Sequence, residues 1–247
     1  MTIQSKNDLT AMRAVGKLVA QAREVMREAA CPGMTTAQLD DIGAAFLRAR
    51  GARSAPQLTY DFPGFNCISV NDEVVHGVPG RRVLAAGDVV KIDVTAELDG
   101  YIADSAVTVV LPPVTPRTNN LVQCARAAFK RAIKAADTRV RVAELGRAVE
   151  TEVERWGFSV VRDMCGHGVG RGLHEPPSVP NFFSPFTPGR LEEGLVIALE
   201  PIISESPTAL VEDPDGWTIR TATGCLAAHY EHTIVMRDGR AEILTAA

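Results

Sequence analysis

The 247-residue chain lacks most of the features that assign a protein to a partner or compartment by composition alone. It has no basic run, its net charge is −4, and aromatics make up only 5% of it. That excludes a basic, aromatic-interleaved surface for nucleic acid. No apolar stretch approaches the roughly 20 residues that cross a bilayer. The longest, such as Leu195 to Leu199, are far shorter, which argues against a membrane role. The opening MTIQSKND is polar, with no apolar signal core behind it. Five cysteines stand at 31, 67, 124, 165 and 225, with no Cys-x-x-Cys pair. An odd, unpatterned set argues against a disulfide framework or zinc finger and for reduced thiols in a cytoplasmic protein. What remains is 46% hydrophobic, enough to bury a real core in one large domain or two fused halves.

The stretch from Val89 to Val110, VVKIDVTAELDGYIADSAVTVV, is rich in Val, Ile and Thr on both sides of Asp99-Gly100. Asp-Gly between two such runs is a strong signal for a two-residue hairpin turn. With the turn at 99–100, Leu98 opposes Tyr101 and Asp93 opposes Ala106. Asp104 then lies diagonally across from Asp93 on the same face, roughly 7–8 Å away at the backbone. Two acids directed onto one β-branched, apolar face are too costly to bury ionised and unpaired, so a cation is the first candidate partner.

Elsewhere the spacing predicts a helix from an Asn7 or Asp8 cap to about Ala30, with Leu9, Met12, Gly16, Val19 and Met26 near one face. A second follows a Thr35 or Thr36 cap, with Leu39, Ile42 and Phe46 inward, and ends near Gly51. A loop containing Pro56, Pro63 and Gly64 leads to a short strand, Asn66 to Val70. After Pro116 the plan restarts, with helices over about Asn119 to Ala136 and Val142 to Trp156. The segment AQLDDIGAAFLRARGARS, from Ala37, resembles AELGRAVETEVERWGFSV, from Ala143. Gly87 and Asp93 are likewise matched by Gly194 and Glu200, the acid ending an apolar strand six residues after the glycine. Glu231 opens a strand much as Asp104 opens Ser-Ala-Val-Thr-Val-Val. A repeat of this length suggests a duplication, not a solenoid. The expectation is one α+β catalytic domain over 1–247, with halves at about 7–113 and 117–240, a strand pair from each half joining in one sheet, and helices outside.

Asp93, Asp104, Glu200 and Glu231 thus have matched positions. Taken singly, each is more often a surface or capping acid. As a symmetric set on apolar strands, with one imidazole, they suit two divalent cations. Histidines occur at 76, 167, 174, 229 and 232. The run CGHGVGRGLHEPP holds His167 and His174 among alternating glycines. It is a weak match to a phosphate loop, because no Lys-Ser/Thr follows and Pro176-Pro177 forbid a helix behind it. The alternatives are a backbone approaching a site closely and a mobile surface turn. His76 taken alone reads as a loop or core residue. His229 and His232 flank Glu231 but only one shares its side of the strand, so both are assigned supporting roles.

In this order and spacing, SVNDEVVHGVPG, GDVVKIDVTAELDGYIADSAVT, CGHGVGRGLHEPP, IALEPI and YEHTIV resemble the type I, bacterial-type methionine aminopeptidases. The match covers nearly the whole chain, and the His174 to Glu231 spacing leaves no room for the helical insertion of type II enzymes. The resemblance implies the pita-bread fold, two pseudo-symmetric αβ halves around a curved antiparallel sheet. It implies removal of the initiator methionine from nascent polypeptides whose second residue is small. The family's metal ligands carry over as Asp93, Asp104, His167, Glu200 and Glu231. Asp104 and Glu231 correspond to bridging carboxylates, Asp93 to the bidentate ligand of one metal, and His167 with Glu200 to ligands of the other. The cofactor implied is two divalent metal ions, with cobalt, manganese, iron, zinc and nickel as candidates. The implied mechanism is attack of a water activated by both metals on the first peptide bond. In it Glu200 is the general base, and His76 and His174 face the substrate. Cys67, Phe62, Trp217 and His76 match the methionine pocket. Leu173 stands where Phe is common, and Pro56 to Tyr60 lacks the usual tyrosine and cysteine. Nascent N-termini are the expected partners, with the ribosome a candidate contact and a monomer the expected state. Two other readings compete: a non-catalytic binding protein on the same fold, and a related metallopeptidase with another first-residue preference.

Overall fold

The computed structural model describes residues 1–246. Helix α1 (Lys6–Ala29) is capped by Ser5, whose hydroxyl accepts from the Asp8 amide at 3.1 Å. The expected Asn7 or Asp8 cap lies two or three residues too late. Asp8 instead accepts from Gln4 N, Ser5 Oγ and the Tyr101 hydroxyl, tying the helix start to the hairpin. Met12, Gly16, Val19 and Met26 face inward, while Leu9 is half-buried. Helix α2 (Thr36–Arg48) begins with a reciprocal capping box between Thr35 and Gln38. Its buried face is Leu39, Gly43, Ala44 and Leu47; Ile42 and Phe46 sit at its margin. Strand β1 (Arg53–Ser54) leads into helix α3 (Ala55–Tyr60), where a loop was expected. Pro56 in the first turn and the Ser54 cap start it, and Asp61 at φ 58° ends it. Strands β2 (Cys67–Val70), β3 (Glu73–Val75), β4 (Val89–Leu98) and β5 (Tyr101–Val110) follow.

The β4–β5 hairpin has the register read from the sequence, Leu98 opposite Tyr101 and Asp93 opposite Ala106. Asp99 and Gly100 both take positive φ, 52° and 80°, the twist that a two-residue turn needs. Helix α4 (Pro116–Ala135) starts three residues earlier than expected, because Thr115 caps it and Pro116 suits its first position. Helix α5 (Val142–Arg155) closes at Gly157. The rest is strand: β6 (Ser159–Val160), β7 (Cys165–Gly168), β8 (Glu175–Pro180), β9 (Val196–Leu199), β10 (Ile202–Ser204), β11 (Leu210–Glu212), β12 (Ile219–Thr221), β13 (Ala227–His229), β14 (His232–Arg237) and β15 (Arg240–Ile243). The glycine-rich run is the antiparallel β7–β8 hairpin, not a mobile turn. A Cβ on Gly166 would lie 2.4 Å from Ala198 O, and one on Gly168 2.3 Å from Pro176 O. The alternating glycines let β7 fit between β8 and β9.

Each half has its own helix-on-sheet core. Met12, Val19, Met26, Leu39 and Leu47 pack on Ile92, Val94 and Val107. Leu121, Phe129, Leu145 and Val149 pack on Ile197, Leu199 and Ile234. The second half also carries a long antiparallel pair. Leu199 opposes His232 and Ile202 opposes His229, so one register runs through β9–β10 and β13–β14. The ladder opens at Glu200-Pro201, opposite Tyr230-Glu231, where proline has no N–H to donate. The acids Glu200 and Glu231 occupy that opening. Their first-half counterparts, Asp93 and Asp104, lie inside continuous strands and not at a strand end and start as expected.

Strand β3 of the first half pairs with β12 of the second, but where β5 meets β13 and β14 the halves do not join through a continuous backbone ladder. Ala106 and Glu231 exchange both backbone hydrogen bonds, at 3.3 and 3.0 Å. Two residues to one side, the Thr233 hydroxyl accepts from Asp104 N and donates to Asp104 O, both at 2.8 Å. Two residues to the other side, the Thr108 hydroxyl accepts from His229 N at 2.8 Å and donates to His229 O at 2.7 Å. The strands splay from the central pair, and a threonine hydroxyl fills each widened rung. Thr233→Val keeps the shape but strands a buried amide and carbonyl. It should destabilise the metal-free protein by about 2–4 kcal/mol in urea unfolding; a loss under about 0.5 kcal/mol would show that the seam is held elsewhere.

Candidate metal centre

The seam delivers its side chains to one point. Asp93 and Asp104 leave the same face of the first hairpin, and Thr95, directly opposite Asp104, donates to its Oδ1 at 2.7 Å. Glu200 and Glu231 enter from the break in the second ladder, both buried. His167, on β7, hydrogen-bonds through Nδ1 to Gly168 O at 2.9 Å. A carbonyl only accepts, so Nδ1 carries the proton and the Nε2 lone pair faces the acids. That Nε2 is 3.4 Å from Glu200 Oε1 and 4.0 Å from Asp104 Oδ2. Ligand atoms of Asp104, His167 and Glu231 lie within 4.8 Å of one another, as do those of Asp93, His229 and Glu231. All five expected ligand residues therefore meet, in two overlapping triads that share Glu231, with Glu200 beside them.

Such crowding is electrostatically unstable by itself. Burial pushes the carboxyls of Asp93, Asp104, Glu200 and Glu231 upward. The charge on Asp104 raises Asp93, Glu200 and Glu231 further. Burial also pushes His167 down to about 4, so it is a neutral donor near pH 7. Among the described residues Asp104, Glu200 and Glu231 have histidines within ion-pair distance, and none of the four acids has a Lys or Arg there. Asp93 Oδ1 and His229 Nε2 are buried without a hydrogen-bond partner. Four carboxylates, neutral imidazole and unpaired donor atoms fit divalent cations with mixed oxygen and nitrogen ligands.

Asp93 and Asp104 of the centre line a cleft of about 280 Å³. Phe62, Cys67, His76 and Trp217, the four expected pocket residues, all line it, as do Leu173 and His174. Phe62 and Trp217 meet edge to face at 5.2 Å. His76 sits at φ 56°, a left-handed conformation rare outside glycine that clusters at functional sites. Tyr60, the last residue of α3, places its hydroxyl 2.6 Å from His174 Nδ1. Within the 56–60 stretch, Tyr60 thus puts an aromatic ring on the wall. Thr95 and Tyr60 were missed in the sequence. The hairpin register marks Thr95 as the partner of Asp104, whereas nothing local marks Tyr60. His229 also reaches the centre, at 3.5 Å from Glu231 Oε2. His232 points away, to Thr245 and Tyr230.

The same backbone occurs in the crystal structure of a methionine aminopeptidase from Thermotoga maritima. It is 36% identical, with a TM-score of 0.96 and full coverage of both chains. A prolidase from Pyrococcus furiosus, 21% identical over 66% of its own length, shares the fold at a TM-score of 0.80. This is the pita-bread architecture of metal-dependent peptidases. The chain belongs to metallopeptidase family M24, whose profile matches residues 10–238. Its relatives include methionine aminopeptidase 2 of Bacillus subtilis (strain 168), 44% identical over 247 residues and 99% of each chain. The methionine aminopeptidase of Clostridium perfringens (strain 13 / Type A) is 37% identical over 98% of each chain. Among the described residues no helix is long and apolar enough to cross a membrane.

A carboxyl whose folded-state pKa lies above its unfolded value adds stability at low pH that is lost as pH rises through the folded value. A bound cation replaces those protons, so its stabilisation must grow with pH. Each proton displaced adds about 1.4 kcal/mol per pH unit. The gap in Tm between manganese-loaded and metal-free protein should therefore widen from pH 5.5 to 7.5; a gap that narrows would show that the acids are not the ion's ligands.

Proposed function

We propose that the protein removes the initiator methionine from polypeptides whose second residue is small, acting as a dinuclear metallo-aminopeptidase. The observation that carries this reading is the meeting of four buried carboxylates and His167 beside an apolar cleft. Family membership and the names of its relatives support it. Asp93, Asp104, His167, Glu200 and Glu231 would hold two divalent cations. When bound, the cations supply Lewis acidity that lowers the pKa of water and polarises the carbonyl under attack.

The chain's own residues do the rest. The methionine side chain enters the pocket of Phe62, Cys67, Leu173 and Trp217. The free α-amine lies toward Asp93, which restricts cleavage to the first peptide bond. Glu200 takes the proton of the attacking water and relays it to the departing amide nitrogen. With its Nδ1 accepting from the Tyr60 hydroxyl, 2.6 Å away, His174 would carry its proton on Nε2 as a donor for the oxygen that gains charge. His76 contacts the amide nitrogen side. Leu173 in place of a ring narrows the discrimination between Met and Leu, on the order of 1–3 kcal/mol per methylene-sized difference. We read the chain as a single catalytic domain over 1–247, with halves at about 7–113 and 117–240, working as a monomer. Nascent chains at the ribosome are the N-termini this activity implies. Five free cysteines support a cytoplasmic setting.

Metal-loaded protein should release methionine from Met-Gly-Ser and leave Pro- and Leu-initiated peptides largely intact. Failure with each of cobalt, manganese, iron, zinc and nickel would favour the non-catalytic binding reading. Release of another first residue in preference would favour the third reading. Two variants separate the roles. Asp104→Asn should lose metal and activity together. His174→Ala should keep its metal and lose about 10²–10³ in kcat; loss of metal from that variant would remove His174 from the substrate side.

A further inference from the structure

His229 has a position that the five-ligand set does not explain. Its backbone is clasped by the Thr108 hydroxyl and paired to Ile202, which fixes the side of the strand from which the ring leaves. The residue is 2% exposed. Its Nε2 is buried without a hydrogen-bond partner, as is Asp93 Oδ1. That nitrogen is 3.5 Å from Glu231 Oε2 and 3.7 Å from Glu200 Oε2. These separations are too long for N–H···O bonds. The one to Glu231, the acid common to both triads, is close to the spacing of two atoms that bind one ion. Ligands about 2.1 Å from a metal, at tetrahedral to octahedral angles, lie about 3.0–3.4 Å apart. His167 and Glu200 show the same spacing, 3.4 Å, on the other side of the centre. Asp93, His229 and Glu231 form a triad of mutually close donor atoms, matching Asp104, His167 and Glu231.

We propose that His229 is a sixth ligand, giving its Nε2 to the cation on the Asp93 side, so that each of the two cations holds one imidazole. The inference rests on the paired-cation reading above. It makes the two sites alike in donor type. A nitrogen on each side favours zinc, cobalt and nickel over manganese at both sites. A five-ligand centre would have one all-oxygen site selecting differently from its neighbour.

The probe is zinc. Protein loaded with zinc is analysed for metal content and by X-ray absorption, which counts imidazoles per metal from their outer-shell scattering. Two zinc ions per chain with a mean of one imidazole each are expected, against one half for five ligands. In His229→Gln the mean should fall to one half, as it should in His167→Gln. Zinc titration of His229→Gln should show one of the two binding steps weakened at least about 10–100-fold. A mean of one half in the unaltered protein, with two zinc ions bound, overturns this inference alone. The unaltered protein decides that count even if the variant fails to fold. Fewer than two zinc ions in the unaltered protein overturns the paired-cation reading and this inference with it.

Discussion

Four carboxyl groups buried together repel one another, and burial penalises each charge, so the centre needs compensating charge at its middle. The rest of the architecture serves that constraint. The acids must be brought close without their backbones competing for the same space. Here that is done by a seam with one full backbone pair, Ala106 and Glu231, and a threonine-bridged rung on either side. The splay leaves room for the acids, and the hydroxyls keep every widened backbone group satisfied. The centre is therefore held by local hydrogen bonds that do not depend on the cations, although its charge does.

The pseudo-symmetry is one of topology more than of local shape. The first half presents its acids from an unbroken hairpin, and the second presents them from a break at Pro201. Both imidazoles near the acids, His167 and His229, come from the second half, as does His174 in the cleft. The first half instead contributes much of the apolar wall, from α3 to His76. The cleft lies between the two halves because neither half alone holds both the acids and the wall.

Much of this was legible in the chain. The Asp-Gly turn and the β-branched runs beside it determine the hairpin register to the residue, and with it the shared face of Asp93 and Asp104. The repeat identified the helix pairs and the partner acids. Less was legible wherever a residue's role depends on a distant segment. Asp8 reads as a cap but is engaged by Tyr101, so Ser5 takes the cap. The 56–60 stretch reads as a loop because its proline is a helix starter there, and Tyr60 gains its role only through His174, far along the chain.

The sequence by itself determined the periodicities, the turn, the duplicated plan and the set of acids, because each is written in neighbours a few residues apart or in a repeat. Only the tertiary structure decided how the halves meet, and that His229 turns into the acids while His232 turns away to Thr245. Side-of-strand arithmetic limits which histidine can point inward. Whether an inward ring finds ligands depends on Thr108 and Glu200, which only the folded chain brings beside it.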